Sequence, residues 1–218
     1  MAAMPWLNNT TGWIRRHADV CALTLLLTVT CAYGALRVDF GGPPFEDAAM
    51  LMRYAENLAN GHGIVWNVGE APVDGATDFL FMSSVAGLIK VGLSTGRAVR
   101  LLGLGAHLLT VILVYGVNRK LWNAGAWVAL AAGLYLAVGT GLWYVAAYFG
   151  APFFALFAGV SWSLGLLLAK TESPGDGPIV GFAISALITA LIRPEGALLG
   201  LLMLCSICLL YTSPSPRD

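Results

Sequence analysis

The stretch VCALTLLLTVTCAYGAL, residues 20–36, decides the fold, because a predominantly apolar run of about this length crosses the hydrocarbon core of a bilayer as one helix. Arg15 and Arg16 lie just before it. Paired basic residues ahead of a first span predict a cytoplasmic N-terminus. We expect this span to be retained as an anchor rather than removed as a signal peptide, because further apolar runs follow it.

The composition of the whole chain agrees with several spans. Of the 218 residues, 58% are hydrophobic and 11% are charged, whereas a soluble domain carries about 25% charged residues. The 12 basic and 12 acidic residues cancel, so the chain has no basic field that would hold nucleic acid. The predicted fold class is therefore an all-α polytopic membrane protein.

Later apolar runs predict the rest of the path through the membrane. We expect spans over residues 97–118, 124–142, 152–169 and 179–192, with residues 197–207 resuming after an interruption. Residues 79–93 are apolar but short and hold a lysine, which indicates a helix on the membrane surface. An interfacial belt around a short external turn is predicted from four aromatic residues: Trp143, Tyr144, Tyr148 and Phe149.

The segment between the first two spans, residues 38–96, is predicted to be an external loop that carries juxtamembrane helices. It holds seven of the 12 acids. Residues 46–60 read as an amphipathic helix with Met50, Tyr54 and Leu58 on one face, and Gly61 is expected to cap it. Glycines and turn-forming acids between residues 61 and 77 predict a compact loop.

The last eleven residues, CLLYTSPSPRD at 208–218, match a peptide that a common sequencing adapter encodes. We expect them to be a scar, so the predicted fold covers residues 1–207 as one partial transmembrane domain. On that interpretation the natural protein continues further, and the fragment alone is expected to be inactive.

The pair Glu46-Asp47 is the first candidate for chemistry. Two adjacent carboxylates at the start of a helix can hold a divalent cation or accept a proton from a hydroxyl. The alternative is that acids at a helix N-terminus only complement the helix dipole.

The sequence Arg193-Pro194-Glu195-Gly196 is the second candidate. Ionisable residues inside an apolar stretch are costly and mark functional sites, and Pro194 breaks the helix. Such a break could present the Arg193 guanidinium to a phosphate, which it can bind in bidentate fashion. The alternative is an ion pair of Arg193 with Glu195 or another acid that only fixes helix packing.

These features, in this order, resemble the N-terminal part of the GT-C superfamily of integral-membrane glycosyltransferases. Within it, the chain is similar to the actinobacterial branch of terminal arabinofuranosyltransferases of cell-wall arabinan. The resemblance covers most of residues 40–200, and GHGIVWN at 61–67 is its most specific part. The matching segments are EDA at 46–48, RYAENLANGHG at 53–63, VWN at 65–67, GE at 69–70, VDGAT at 73–77 and RPEG at 193–196. Glu46 in place of aspartate, Ala49 in place of an aromatic and Ala76 in place of tyrosine depart from the pattern.

The resemblance implies transfer of a sugar, arabinofuranose in that branch, from a polyprenyl-phosphate donor to a cell-envelope glycan. Asp47 or Glu46 would act as the base, and Arg193 would offset charge on the departing phosphate. It also implies a multi-pass protein of the bacterial cytoplasmic membrane, with the acidic loop outside. Partners would be the lipid-linked donor, the glycan acceptor and membrane lipid, with no required cofactor and a divalent cation as an option. The remaining matched residues expected to bind substrate are Glu195, His62, Asn67 and Arg53.

Two other classes of protein stay open at this point. A transporter or flippase of lipid-linked sugars would also use an intramembrane arginine and proline, but it gives no reason for the long acidic loop. A non-catalytic membrane subunit would tolerate replacement of Glu46 and Asp47 by their amides.

Overall fold

The computed structural model describes the backbone of residues 5–73, 75–171 and 173–212, and the side chains between residues 17 and 209 within those ranges. The side chains of Arg15 and Arg16, the turn residue Asp74 and residues 213–218 of the adapter-like tail lie outside this description.

Every regular element in the described ranges is an α-helix, which confirms the predicted fold class. The helices follow one another as α1 (Pro5–Arg37), α2 (Glu46–Ala59), α3 (Phe79–Lys90), α4 (Thr95–Lys120), α5 (Ala126–Ala137), α6 (Gly141–Ala146), α7 (Ala151–Lys170), α8 (Asp176–Ile192) and α9 (Pro194–Thr212).

Four segments of the described chain are long and apolar enough to cross a membrane: His17–Arg37, Thr95–Lys120, Ala126–Ala146 and Ala151–Lys170. Helices α3 and α8 and the apolar part of α9 are shorter. Helix α4 packs against α1, α5, α6 and α7, while α7, α8 and α9 pack against one another. The chain is therefore a helical bundle whose long members have the length that a bilayer requires.

Two predicted spans correspond to segments that are long enough to cross a membrane, but their helices differ from the prediction. Helix α1 begins at Pro5, well before residue 20. The span predicted over residues 124–142 is two helices, because α5 ends at Ala137 and α6 begins at Gly141. A Cβ on Gly141 would lie 2.5 Å from the ring of His107 on α4. The chain therefore breaks where glycine lets it pass against that buried imidazole.

Helices α2 and α3 form a layer over one end of the bundle. Their shared core includes Leu51, Tyr54, Phe81 and Val85, with Val99 from α4 below them. The amphipathic helix over residues 46–60 is confirmed. Its buried face differs from the prediction, because Met50 and Leu58 are only partly buried while Ala48, Leu51, Tyr54 and Ala55 face inward.

The predicted glycine cap of α2 is also present. Gly61 has φ +84°, a left-handed conformation that glycine adopts without steric cost. The His62 amide donates a hydrogen bond to the Asn57 carbonyl at 2.9 Å, which satisfies a carbonyl of the last helical turn. The chain therefore leaves α2 in a fixed direction.

The predicted aromatic belt is wrong for Tyr148. This residue has φ +65° and is 8% exposed, within the core under α2 and α3. The Arg100 guanidinium lies 4.6 Å over the Tyr148 ring and donates a hydrogen bond to the Tyr148 hydroxyl. This contact draws the ring inward, whereas Trp143 and Tyr144 remain about half exposed.

We call the α2–α3 layer, the turn at 147–150 and the junction at 193–194 the loop end of the molecule. Its parts contact one another, since Phe45 lies against Phe149 and Asp78 pairs with Arg193. The opposite end comprises Asp19, Tyr115, Arg119 and residues 121–125, which are joined by hydrogen bonds.

Candidate functional site

An ion pair between α3 and the α8–α9 junction forms the centre of the loop end. The Nε of Arg193 donates a hydrogen bond to Oδ1 of Asp78 at 2.6 Å, across 115 positions of sequence. Asp78 is 2% exposed, whereas the Arg193 side chain is 38% exposed. The pair thus combines a buried carboxylate with a guanidinium that reaches the surface.

Arg193 uses only part of its hydrogen-bonding capacity. Its single hydrogen bond to another side chain within the described residues is the one from Nε. The guanidinium also lies 5.9 Å from the centre of the Phe154 ring. The terminal nitrogens, which carry most of the N–H donors of an arginine, therefore keep donors for a group from outside.

The chain places Arg193 by breaking the helix on its C-terminal side. Pro194 starts α9, and Arg193 before it has extended backbone angles of φ −143° and ψ 145°, as a residue before proline prefers. Gly196 allows the two helices to meet, because a Cβ there would lie 2.3 Å from the Thr189 carbonyl oxygen. The motif RPEG is therefore a tight turn between α8 and α9.

A second glycine, Gly150, leaves room for the Asp78 carboxylate. A Cβ on Gly150 would lie 2.7 Å from Oδ2 of Asp78 and 2.8 Å from the Phe81 ring. A side chain at the start of α7 would therefore force the buried acid or the Phe81 ring to move. Three separate segments, ending at Asp78, Gly150 and Arg193, thus meet at one point.

The paired carboxylates lie at the same end of the molecule. Glu46 and Asp47 form the first turn of α2, and both are exposed. Phe45, which precedes them, has its ring 5.9 Å from that of Phe149, next to Gly150. The contacts Phe45 to Phe149 and Gly150 to Asp78 connect the start of α2 to the ion pair.

Two of the predicted substrate ligands, Arg53 and Asn67, hold the loop that follows α2. The Nε of Arg53 donates to the Trp66 carbonyl at 2.9 Å, and Nη2 donates to Oδ1 of Asn67 at 2.6 Å. The Asn67 amide donates in turn to Glu70 at 2.7 Å. The Arg53 guanidinium also lies 4.3 Å from the Trp66 ring centre. These contacts explain the compact loop that the sequence predicts.

The remaining predicted site residues are surface side chains of the same end. His62 follows the cap of α2 and is exposed, and Glu195 lies exposed in the first turn of α9. Of the two ion-pair partners that the sequence leaves open for Arg193, Glu195 or another acid, the structure shows another acid, Asp78. Within the part of the chain that the structure describes, no three His, Cys, Asp or Glu side chains form a group that could hold a metal ion.

Sequence reasoning missed Asp78 as a site residue. It is one of seven acids in residues 38–96, and its separation from Arg193 gives no periodic signal. The available signal was its position, because Asp78 directly precedes the apolar helix α3.

Comparison of this chain with known protein families, with curated proteins and with solved structures finds no match. The functional interpretation therefore rests on the geometry of the loop end and on the sequence resemblance described above. That geometry offers exposed carboxylates, which can accept a proton, and a held guanidinium, which can pair with an anion.

Proposed function

We propose that this chain carries the catalytic end of a membrane glycosyltransferase that uses a polyprenyl-phosphate sugar donor. One observation supports the proposal above the others. The Glu46-Asp47 pair and the Arg193 guanidinium occupy one end of an apolar helical bundle, linked through Phe149 and Asp78. A base and a phosphate ligand on one surface are the two groups that such a transfer requires.

In the proposed reaction, the oxygen of an acceptor hydroxyl attacks the anomeric carbon of the donor sugar. The bond between that carbon and the phosphate oxygen breaks, and its electron pair leaves with the phosphate. Asp47 or Glu46 takes the proton of the attacking hydroxyl. The phosphate gains negative charge as it departs, and Arg193 offsets that charge.

The bundle suits a donor with a long hydrocarbon tail. The polyprenyl chain would lie in the membrane beside the apolar helices, while its phosphate and sugar reach the loop end. With a cytoplasmic N-terminus, one crossing by α1 puts the loop end on the outer face of a bacterial cytoplasmic membrane. The outer face is compatible with a cell-envelope glycan as acceptor. The resemblance of the sequence to the arabinofuranosyltransferase branch is what suggests that acceptor and arabinofuranose as the sugar.

Arg53 and Asn67 take a supporting role in this proposal. Their side chains bind each other and the Trp66 carbonyl, so they shape the loop beside α2. His62 and Glu195 are exposed at the same end, and their contact with substrate stays a prediction.

The test is transfer of radiolabelled arabinofuranose from polyprenyl-phosphate arabinofuranose to an arabinan oligosaccharide, in proteoliposomes that contain the protein expressed from the complete gene. We expect Asp47→Asn or Glu46→Gln to lower the rate by about 100-fold, the lower range for loss of a general base. Asp39→Asn is the matched control, because Asp39 is an exposed acid of the same end that only bonds the Gly41 amide. Full activity of both amide variants would contradict the proposal and favour a non-catalytic subunit.

A further inference from the structure

We infer that Asp78 is a positioning residue, which holds the Arg193 guanidinium by its Nε so that the terminal nitrogens bind the phosphate of an amphiphilic phosphate ester. This inference rests on the proposed function and adds to it a residue that the sequence did not single out. It also names the ligand class: a phosphate monoester on a hydrocarbon chain, which is the chemical form of the leaving group.

The geometry of the pair carries the inference. A carboxylate that only neutralised the arginine could approach any N–H edge, including the forked edge of the two terminal nitrogens. Here Oδ1 of Asp78 meets Nε at 2.6 Å. This contact holds the Nε edge of the guanidinium and leaves the fork for two oxygens of another anion.

The surroundings of Asp78 prevent the carboxylate from turning away. Asp78 is 2% exposed. The space beside Oδ2 is closed by Gly150 and the Phe81 ring, since an added Cβ at 150 would lie 2.7 Å from that oxygen. Arg193, in contrast, is 38% exposed on its side chain. The acid is the fixed member of the pair, and the arginine takes its orientation from it.

The substitution Asp78→Asn distinguishes a charge effect of Asp78 from a positioning effect, because the two predict opposite changes in phosphate binding. Asp78→Asn removes a negative charge beside the phosphate, so by charge alone phosphate binding should strengthen. If Asp78 positions Arg193, the weaker hydrogen bond of the amide frees the guanidinium, and phosphate binding should weaken despite the more positive site. A purely structural role would lower the thermal stability and leave the affinity of the folded protein unchanged.

The experiment measures binding of decyl phosphate to the purified chain in phosphatidylcholine nanodiscs, by titration followed with ³¹P NMR. Decyl maltoside is the neutral control amphiphile. We expect Asp78→Asn to weaken decyl phosphate binding roughly tenfold, which corresponds to about 1.4 kcal/mol. Equal or tighter binding by Asp78→Asn would overturn the inference.

A second variant keeps the inference testable if Asp78→Asn does not fold. Gly150→Ala displaces Asp78 without changing any charge, and the φ of −75° at Gly150 suits alanine. We expect it to weaken decyl phosphate binding as Asp78→Asn does. Gly87→Ala is the matched control, because nothing lies within 4 Å of the added Cβ on that helical glycine. Unchanged affinity in folded Gly150→Ala would count against a positioning role.

Two further comparisons distinguish failure of the proposed function from failure of the inference about Asp78. If the wild-type chain binds decyl phosphate no better than decyl maltoside, both the proposed function and the inference fail. If wild type binds it and Arg193→Gln does not, but Asp78→Asn binds as wild type does, only the inference fails. Inorganic phosphate is the parallel probe, and equally tight binding of it would overturn the assignment of a lipid-linked ester.

Discussion

The two ends of the bundle each hold an arginine–aspartate pair joined from Nε to Oδ1, and the two pairs differ in what else they touch. At the opposite end the Arg119–Asp19 distance is 2.8 Å, and at the loop end the Arg193–Asp78 distance is 2.6 Å. By distance alone the pairs are nearly alike.

At the opposite end the protein satisfies the charges itself. Arg119 also donates from Nη1 to the Ala124 carbonyl at 2.7 Å, and the Tyr115 hydroxyl donates to Asp19 at 2.6 Å. The arginine is the less exposed member there, with 19% of its side chain exposed against 35% for Asp19. This pair joins α1 to α4 and the turn after it.

At the loop end the order of burial is reversed. The aspartate is almost fully buried, and the arginine is the exposed member. Within the described residues Arg119 bonds the protein through two of its guanidinium nitrogens, and Arg193 does so through one. The comparison teaches that an arginine whose terminal nitrogen also bonds the protein indicates a structural tie, whereas one that leaves both terminal nitrogens unused indicates a ligand site. The predictions below test that distinction.

The largest expected effect on stability comes from closing the turn that presents Arg193. Gly196→Ala should lower the free energy of unfolding by about 3 kcal/mol, the upper range for overpacking, because the added Cβ meets the Thr189 backbone at 2.3 Å. Gly200→Ala on the same helix is the control, since its Cβ would only approach Ala186 at 3.3 Å. Thermal unfolding in detergent measures both, and equal stability of the two variants would show that the turn tolerates a side chain.

Next in size is the difference between the two aspartates. Asp78→Ala should lower the free energy of unfolding by about 2 kcal/mol, because it leaves the Arg193 guanidinium without its buried partner. Asp19→Ala should lower the free energy of unfolding by about 1 kcal/mol, since Asp19 is partly exposed and water can replace it as a partner of Arg119 and Tyr115. The measurement is the unfolding midpoint of each variant at one detergent concentration. A larger loss of stability for Asp19→Ala than for Asp78→Ala would contradict the proposed difference between the two ion pairs.

The smallest effect concerns the loop beside the paired carboxylates. Arg53→Lys keeps the charge but loses the forked contact to Trp66 and Asn67, so local opening should become easier by about 1 kcal/mol. Limited proteolysis between residues 61 and 77 reports that opening. Arg97→Lys at the same end is the control, because Arg97 is exposed. Equal cleavage of the two variants would mean that Arg53 does not hold the loop.

Much of the architecture could be predicted from the sequence. The apolar runs predict the long helices because a bilayer sets their length. The amphipathic pattern and Gly61 predict α2 and its end, since both signals are local. What local signals cannot supply is the partner of a residue that lies far away in sequence.

The incorrect predictions follow from this absence of long-range information. The break between α5 and α6 lies in a continuously apolar run, and only the pair Gly139 and Gly141 signalled it. Its cause, the His107 ring against Gly141, belongs to another helix. Tyr148 and Asp78 are buried for the same kind of reason, through Arg100 and Arg193. The sequence predicted that Arg193 is important and left its partner open.

The measurement that tests the account most directly compares the two arginines in one sugar-transfer assay. Arabinofuranose transfer from the polyprenyl-phosphate donor is measured in proteoliposomes that contain the protein expressed from the complete gene, as wild type, Arg193→Gln or Arg119→Gln, with each variant first shown to be folded. We expect Arg193→Gln to lower the transfer rate by about 100-fold, the range for loss of one group that stabilises developing charge, and Arg119→Gln to retain the wild-type rate. Equal losses in both variants, or full transfer by Arg193→Gln, would contradict the assignment of the loop end as the catalytic end.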